Sequence, residues 1–126
     1  ALTEEQSILK DQATSWVEAE LPVQKFREFR NSNGDGGFDP KAWSAMVDMG
    51  WTGILVPENY GGSDLGYLTF GVILEQLGRQ LCASPLFASA YVGARAIKLG
   101  GNDDQKQRWL PWASAWPTSL QPLEFG

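Results

Sequence analysis

The chain contains no histidine. That removes the commonest general base near neutral pH and the commonest metal ligand. It also excludes Ser-His and Cys-His nucleophile pairs within the chain. Cysteine is almost as scarce: Cys82 stands alone, so no internal disulfide can form, which fits a reducing compartment. Basic residues are in the minority, with 10 Lys plus Arg against 15 Asp plus Glu and a formal net charge of -5. No basic cluster occurs, so a phosphate backbone would be repelled and nucleic acid is not an expected partner. No apolar run approaches the ~20 residues of a membrane span, and no charged-then-apolar leader opens the chain. The first residue is Ala1 rather than Met, from which a trimmed start is expected.

What remains is an ordinary globular composition, 43% hydrophobic and 20% charged over 126 residues. That length predicts one domain with a real core, since a ~150-residue domain hides roughly 70% of its unfolded surface.

Helix grammar runs through the whole sequence. Thr3 with Gln6 forms a capping-box pattern, with Glu4 and Glu5 in the first turn where the helix dipole favours them. Leu9, Ala13, Trp16, Val17 and Leu21 make its apolar stripe, and Pro22 stops or kinks it. Residues 23–30 suit a short second helix with Phe26 and Phe29 on one side. Asp39 then caps a helix that begins at Pro40, with Phe38 and Trp43 placed as a hydrophobic staple and Gly50 as its stop.

Residues 50–79 are the hub. A short apolar run, Ile54, Leu55 and Val56, ends at Pro57; a turn through Tyr60, Gly61 and Gly62 follows. A helix capped by Ser63 or Asp64 is then expected, burying Phe70, Ile73, Leu74, Leu77 and Leu81. Glu75 and Arg79 are four apart, in the favourable order for an ion pair. Gly71 and Gly78 each cost about 1 kcal/mol of helix propensity, so close approach of another backbone is expected there.

Ser84-Pro85 opens the next helix, with Phe87, Ala90, Tyr91, Ala94 and Ile97 as its stripe and many small residues around them. Gly100-Gly101 ends it. Asn102 with Gln105 repeats the capping-box pattern, and a last helix is expected to run to Pro111. From Trp112 to Gly126 no period is visible, and Pro117 and Pro122 break any helix. The expected fold is therefore all-α, an up-and-down bundle of about five helices.

Three runs in register resemble the N-terminal helical domain of the acyl-CoA dehydrogenase family. They are Thr3-Glu4-Glu5-Gln6, the hub from Gly50 to Arg79, and Gly101-Asn102-Asp103-Asp104-Gln105 through Leu110-Pro111. The hub carries most of the likeness, through Gly50-Trp51, Pro57-Glu58, Tyr60-Gly61-Gly62 and Glu75-Gln76-Leu77-Gly78-Arg79. The resemblance covers residues 2 to about 114, giving a domain over 1–114 and a tail over 115–126. It implies a parent flavoenzyme that removes hydrogens from the α and β carbons of an acyl-CoA thioester. A glutamate base takes the α proton and FAD accepts the hydride. Oxidases and flavin monooxygenases share this domain.

The same resemblance implies acyl-CoA as the parent's substrate, a homo-oligomer, and a bacterial cytoplasmic or mitochondrial matrix location. The family's Thr-Glu-Pro and Gly-Ser-Asp run, which helps hold FAD, does not follow Leu110-Pro111. The expectation is thus an N-terminal domain alone, inactive, binding no FAD by itself and having no catalytic residue. Its expected contribution is part of the acyl pocket: Ala88 and Val92 match positions that line it in the family. Close helix packing explains small residues there equally well.

Two other readings compete. One is a helical module that binds partner chains. The other is a calcium loop, because Asn31, Asn33, Asp35, Gly36, Phe38 and Asp39 fall at EF-hand positions. The twelfth position is Ala42 where Glu should bind the metal, and Asp39 is better explained as a helix cap. Glu58 reads as a solvated loop residue and Cys82 as a buried spectator thiol. A domain on its own with an uncovered inner face is expected to fold weakly or self-associate.

Overall fold

The computed structural model describes residues 1–32 and 38–115. Apart from Ala115, the expected tail lies outside the described residues, as do Asn33, Asp35 and Gly36 of the calcium pattern. The described residues form six α-helices: α1 (Glu4–Glu20), α2 (Val23–Asn31), α3 (Pro40–Asp48), α4 (Gly66–Arg79), α5 (Ala94–Gly100) and α6 (Asp103–Ser114). A π-helical segment, Phe87–Gly93, leads directly into α5. No strand occurs among the described residues, in line with the expected all-α bundle.

Local chemistry starts these helices as the sequence predicts. Thr3 Oγ1 accepts from the Gln6 amide while Gln6 Oε1 accepts from the Thr3 amide. Asn102 and Gln105 repeat that exchange at α6. Asp39 accepts from the Lys41 amide with Pro40 in the first turn, and Phe38 meets Trp43 edge-on at 6.2 Å.

The core joins α1, α3 and α4. Ala13, Val17, Trp43, Met46, Phe70, Ile73 and Leu77 are all buried in one cluster with Trp51 and Ile54. A polar ladder runs along the α1–α4 seam. Gln6 Nε2 donates to Thr69 Oγ1 at 3.3 Å, Thr14 Oγ1 lies 3.0 Å from Gln76 Oε1, and Gln80 Oε1 accepts from the Val23 amide at 3.2 Å. Rising numbers on one helix pair with rising numbers on the other, so α1 and α4 run parallel. Thr14 also lies 2.8 Å from the Lys10 carbonyl, and one hydroxyl has one proton. With that proton on Lys10, Gln76 bonds to Thr14 by turning its NH2 toward the hydroxyl oxygen.

The hub is a folded crossing, not an extended one. Residues 51–56 are all buried and begin with a 3-10 turn at Trp51–Gly53; a second lies at Glu58–Tyr60. Backbone bonds tie the two sides together: Ser63 to Gly53 at 3.0 Å, Asp64 to Val56 at 3.1 Å and Leu65 to Ile54 at 2.9 Å. A Cβ on Gly62 would sit 2.0 Å from the Val56 carbonyl oxygen, so no other residue fits. On the far side, Thr52 Oγ1 donates to the Ser114 carbonyl at 2.8 Å, which fastens the end of α6.

Several expectations need correction. No side chain caps α4; Asp64 lies in the left-handed region with φ 47 and the helix follows from Leu65. The reason is the hub's backbone ladder, which uses the Ser63 and Asp64 amides and sets the entry angle. Among the described residues a Cβ at Gly71 or Gly78 would meet nothing within 4 Å, so no described backbone approaches there. Leu81 leaves the stripe: it is 56% exposed with φ 54. It occupies the left-handed position of a Schellman motif, with Cys82 N–H donating to Leu77 and Leu81 N–H to Gly78. Pro111 does not end α6, which runs on to Ser114. Glu75 and Arg79 do pair, at 3.1 Å, but both side chains are more than half exposed, so the pair adds a few tenths of a kcal/mol at most.

Cys82 lies half-buried beside the start of α3. Burial, and then the nearby Asp39 charge, push its thiol from the ordinary 9.0 up to about 11. The thiol is therefore neutral at physiological pH and a poor nucleophile.

Three outcomes follow. Gly62→Ala is expected to cost about 3 kcal/mol or more in denaturant melts, since the clash is with backbone. Leu81→Gly is expected to gain about 1 kcal/mol, because it relieves a left-handed leucine at an exposed site. For Cys82, the folded value exceeds the unfolded one, so its thiol does not alter stability below pH 9 and lowers it as pH rises toward 11. Melts of the protein and of Cys82→Ala across that window should converge with rising pH, and maleimide labelling should stay slow until the chain unfolds.

Candidate functional site

The candidate site is the outer face of the π-helical segment and its surroundings. Ser84 Oγ accepts from the Leu86 amide at 3.3 Å, so the Ser84-Pro85 start is as expected. Leu86 is fully buried and anchors the segment. The turn then widens: the Ala94 amide reaches back to the Ser89 carbonyl, five residues away, as well as to Tyr91. A 3.6-residue period does not anticipate this. The wider turn lines up Leu86, Ala90 and Ala94 on the buried side together with Ser89. It swings Phe87, expected in the stripe, outward to 52% exposure.

Ala88 and Val92 both face outward, Val92 at 51% exposure. They share one side, as their spacing suggests, and they are not used to pack this helix against the rest of the described chain. Beside them lies an aromatic group. Tyr91 stacks on Phe87 at 5.1 Å and on Phe70 at 6.4 Å, and Tyr67 meets it edge-on at 6.0 Å. Arg95 lies over both tyrosine rings, 5.2 Å from Tyr67 and 5.3 Å from Tyr91, and donates to the Tyr91 hydroxyl at 2.6 Å. Its Nε is buried without a hydrogen-bond partner among the described residues. Sequence reading missed Arg95 and Tyr67. Their signal is weak, because one Arg and one Tyr on separate helices form no motif.

Apolar grooves among the described residues lie elsewhere. One of about 360 Å³ runs between α2 and the start of α3, past Phe26, Phe29, Pro40 and Cys82. Another, about 520 Å³, lies between α5 and α6 past Ile97, Trp109 and Trp112. Ala88 and Val92 line neither, so their surface is an open wall and not a closed pocket.

The remaining candidates are structural. Asn31 ends α2, Phe38 packs on Trp43 and Asp39 caps α3. Ala42, where an EF-hand loop needs a glutamate, is buried. No group of three or more His, Cys, Asp or Glu able to hold a metal occurs among the described residues. Glu58 is exposed in its turn. Among the described residues no helix is long and apolar enough to cross a membrane.

Comparison with known proteins agrees with the all-helical fold. The family model for the acyl-CoA dehydrogenase N-terminal domain matches residues 3–115. The acyl-CoA dehydrogenase FadE12 of Mycobacterium tuberculosis is 28% identical over 113 residues, covering 86% of this chain and 27% of that protein. The mitochondrial isovaleryl-CoA dehydrogenase of Pongo abelii is 29% identical over 117 residues, covering 87% of this chain and 26% of the relative. Among solved structures, the Tcur3481–Tcur3483 steroid ACAD variant superposes with a TM-score of 0.77 at 28% identity, over 89% of this chain and 30% of that one. The chain spans about a quarter of the length of these curated relatives. Residues 3–115 make this chain a member of the acyl-CoA dehydrogenase family, matched through its N-terminal helical domain.

Proposed function

We propose that this chain supplies one wall of the acyl pocket in a flavin-dependent dehydrogenase of acyl-CoA thioesters. The wall is the outer face of the π-helical segment, and Ala88 and Val92 are the residues that touch the acyl group. The observation that carries the reading is their exposure: two apolar side chains sit side by side on a face that the described chain leaves uncovered. A π-turn at that place adds weight, since such turns concentrate at functional sites.

The chain's own residues do no bond-making in this reading. Its thiol is held neutral, it has no histidine, and Glu58 stands alone in an exposed turn. FAD and the proton-abstracting base belong to parts of the parent outside this sequence, and this chain alone retains no flavin. The small side chain of Ala88 leaves room for a longer or bulkier acyl group. A bacterial cytoplasmic or mitochondrial matrix setting is in keeping with relatives from both sources.

The test is a chimera. Residues 1–115 replace the matching N-terminal part of the Pongo abelii isovaleryl-CoA dehydrogenase, and turnover is measured across acyl chain lengths. Val92→Trp in the chimera should cut kcat/KM on the longer acyl-CoAs about tenfold or more while short ones change little. A flavin-loaded chimera whose chain-length profile ignores both Ala88→Trp and Val92→Trp would sink the proposal.

A further inference from the structure

The π-helical segment bridges two packing clusters. Leu86 and Ala90 belong to the main core with Phe70 and Ile73, whereas Ala94 belongs to the smaller cluster with Val56, Leu110 and Ala113. The number of residues between these anchors sets the direction of every side chain on the bridge. The widened turn, in which the Ala94 amide is shared between the Ser89 and Tyr91 carbonyls, holds one residue more than an α-helical turn. That arrangement is not the one of lowest local cost. The Phe87 ring is turned out to water, while Ser89 is buried with its hydroxyl at a long 3.4 Å from the Leu86 carbonyl. Departures of this kind from what the local sequence favours are expected at functional sites more than in the framework.

Gly93 closes the widened turn. A Cβ there would stand 3.3 Å from the Ala88 carbonyl oxygen, so a side chain at 93 would press on the backbone of residue 88. Val92 precedes it directly. Gly93 thus lies against one residue of the acyl wall and adjoins the other in sequence. Resting on the acyl-wall reading, we propose that Gly93 is a positioning residue. Its surplus place in the turn and its missing side chain set Ala88 and Val92 at the angle from which they meet the acyl group. The segment gives up local stability for that geometry. With one residue fewer the bridge closes to an α-helix. Val92, now two places before the buried Ala94, would then stand immediately before it, swung by roughly 100° about the axis.

Gly93 is deleted both in the whole 126-residue chain and in the isovaleryl-CoA dehydrogenase chimera. In the chain alone, the deletion should keep the helical circular dichroism and melt at or above the wild-type temperature, because an α-turn replaces a π-turn. Deletion of Gly71, inside the regular helix α4, should abolish the cooperative melt, since it rotates half of a buried face. In the flavin-loaded chimera, deletion of Gly93 should shift the ratio of kcat/KM between long and short acyl-CoAs about tenfold or more, chiefly through KM. Gly93→Ala keeps the residue count and presses only on Ala88, so its shift should be smaller. A Gly93 deletion that unfolds the chain, or leaves the chimera without flavin, overturns the proposal, because the extra residue then serves packing alone. So does a flavin-loaded deletion variant with an unchanged chain-length profile. If Val92→Trp alters that profile, the acyl wall survives without Gly93; if it does not, both readings fall.

Discussion

The structure depends on one close approach, the backbone of Gly62 against the Val56 carbonyl. A side chain at 62 would have to occupy the space of that oxygen. Because it does not, two passes of the hub lie side by side and exchange amide hydrogen bonds at Gly53, Val56 and Ile54. That ladder places the chain end from which α4 starts. It also leaves Gly53 open to α6, where a Cβ would lie 3.1 Å from Ser114, and lets Thr52 hold the Ser114 carbonyl. α5 and its π-helical approach are packed against both neighbours: Ala94 shares a cluster with Val56, Leu110 and Ala113, and Ala90 belongs to the main core. A glycine in a turn thus controls where the π-helical segment stands.

The features legible in the sequence are those decided within one turn of chain. The caps at Thr3, Asp39 and Asn102 each satisfy an amide that no helix bond can reach, and the partner is two or three residues away. The Phe38–Trp43 staple and the Glu75–Arg79 pair are equally local. Features decided at longer range were not legible. A Ser-Asp pair before a helix looks like a cap, yet the Ser63 and Asp64 amides are committed to Gly53 and Val56. The spacing of Leu81 suits the buried face, yet α4 has already ended and its Schellman bonds require a left-handed residue there. Gly71 and Gly78 look like contact points, and nothing among the described residues touches them.

The same distinction applies to the site. Ala88 and Val92 could be named because two small or medium apolar residues four apart match a known pattern, and their outward placement follows from helix geometry. The π-turn between them could not. It adds one residue to a turn, in a segment whose Leu86, Ala90 and Ala94 all lie on the buried side. Gly93 permits the widening, since a Cβ there would press to 3.3 Å on the Ala88 carbonyl. The side chains thrown outward, Phe87 among them, are the cost of keeping the row buried.

The segment is left with exposed apolar side chains on more than one side. A helix face left out of the core has to be covered by something, because a contiguous apolar patch in water is unfavourable and invites association. On one side of the segment Ala88 and Val92 are exposed apolar side chains. On the Tyr67 and Phe87 side the face contains Arg95, whose buried Nε has no hydrogen-bond partner among the described residues. A purely apolar cover there would leave that charge desolvated and unpaired, an arrangement costing several kcal/mol.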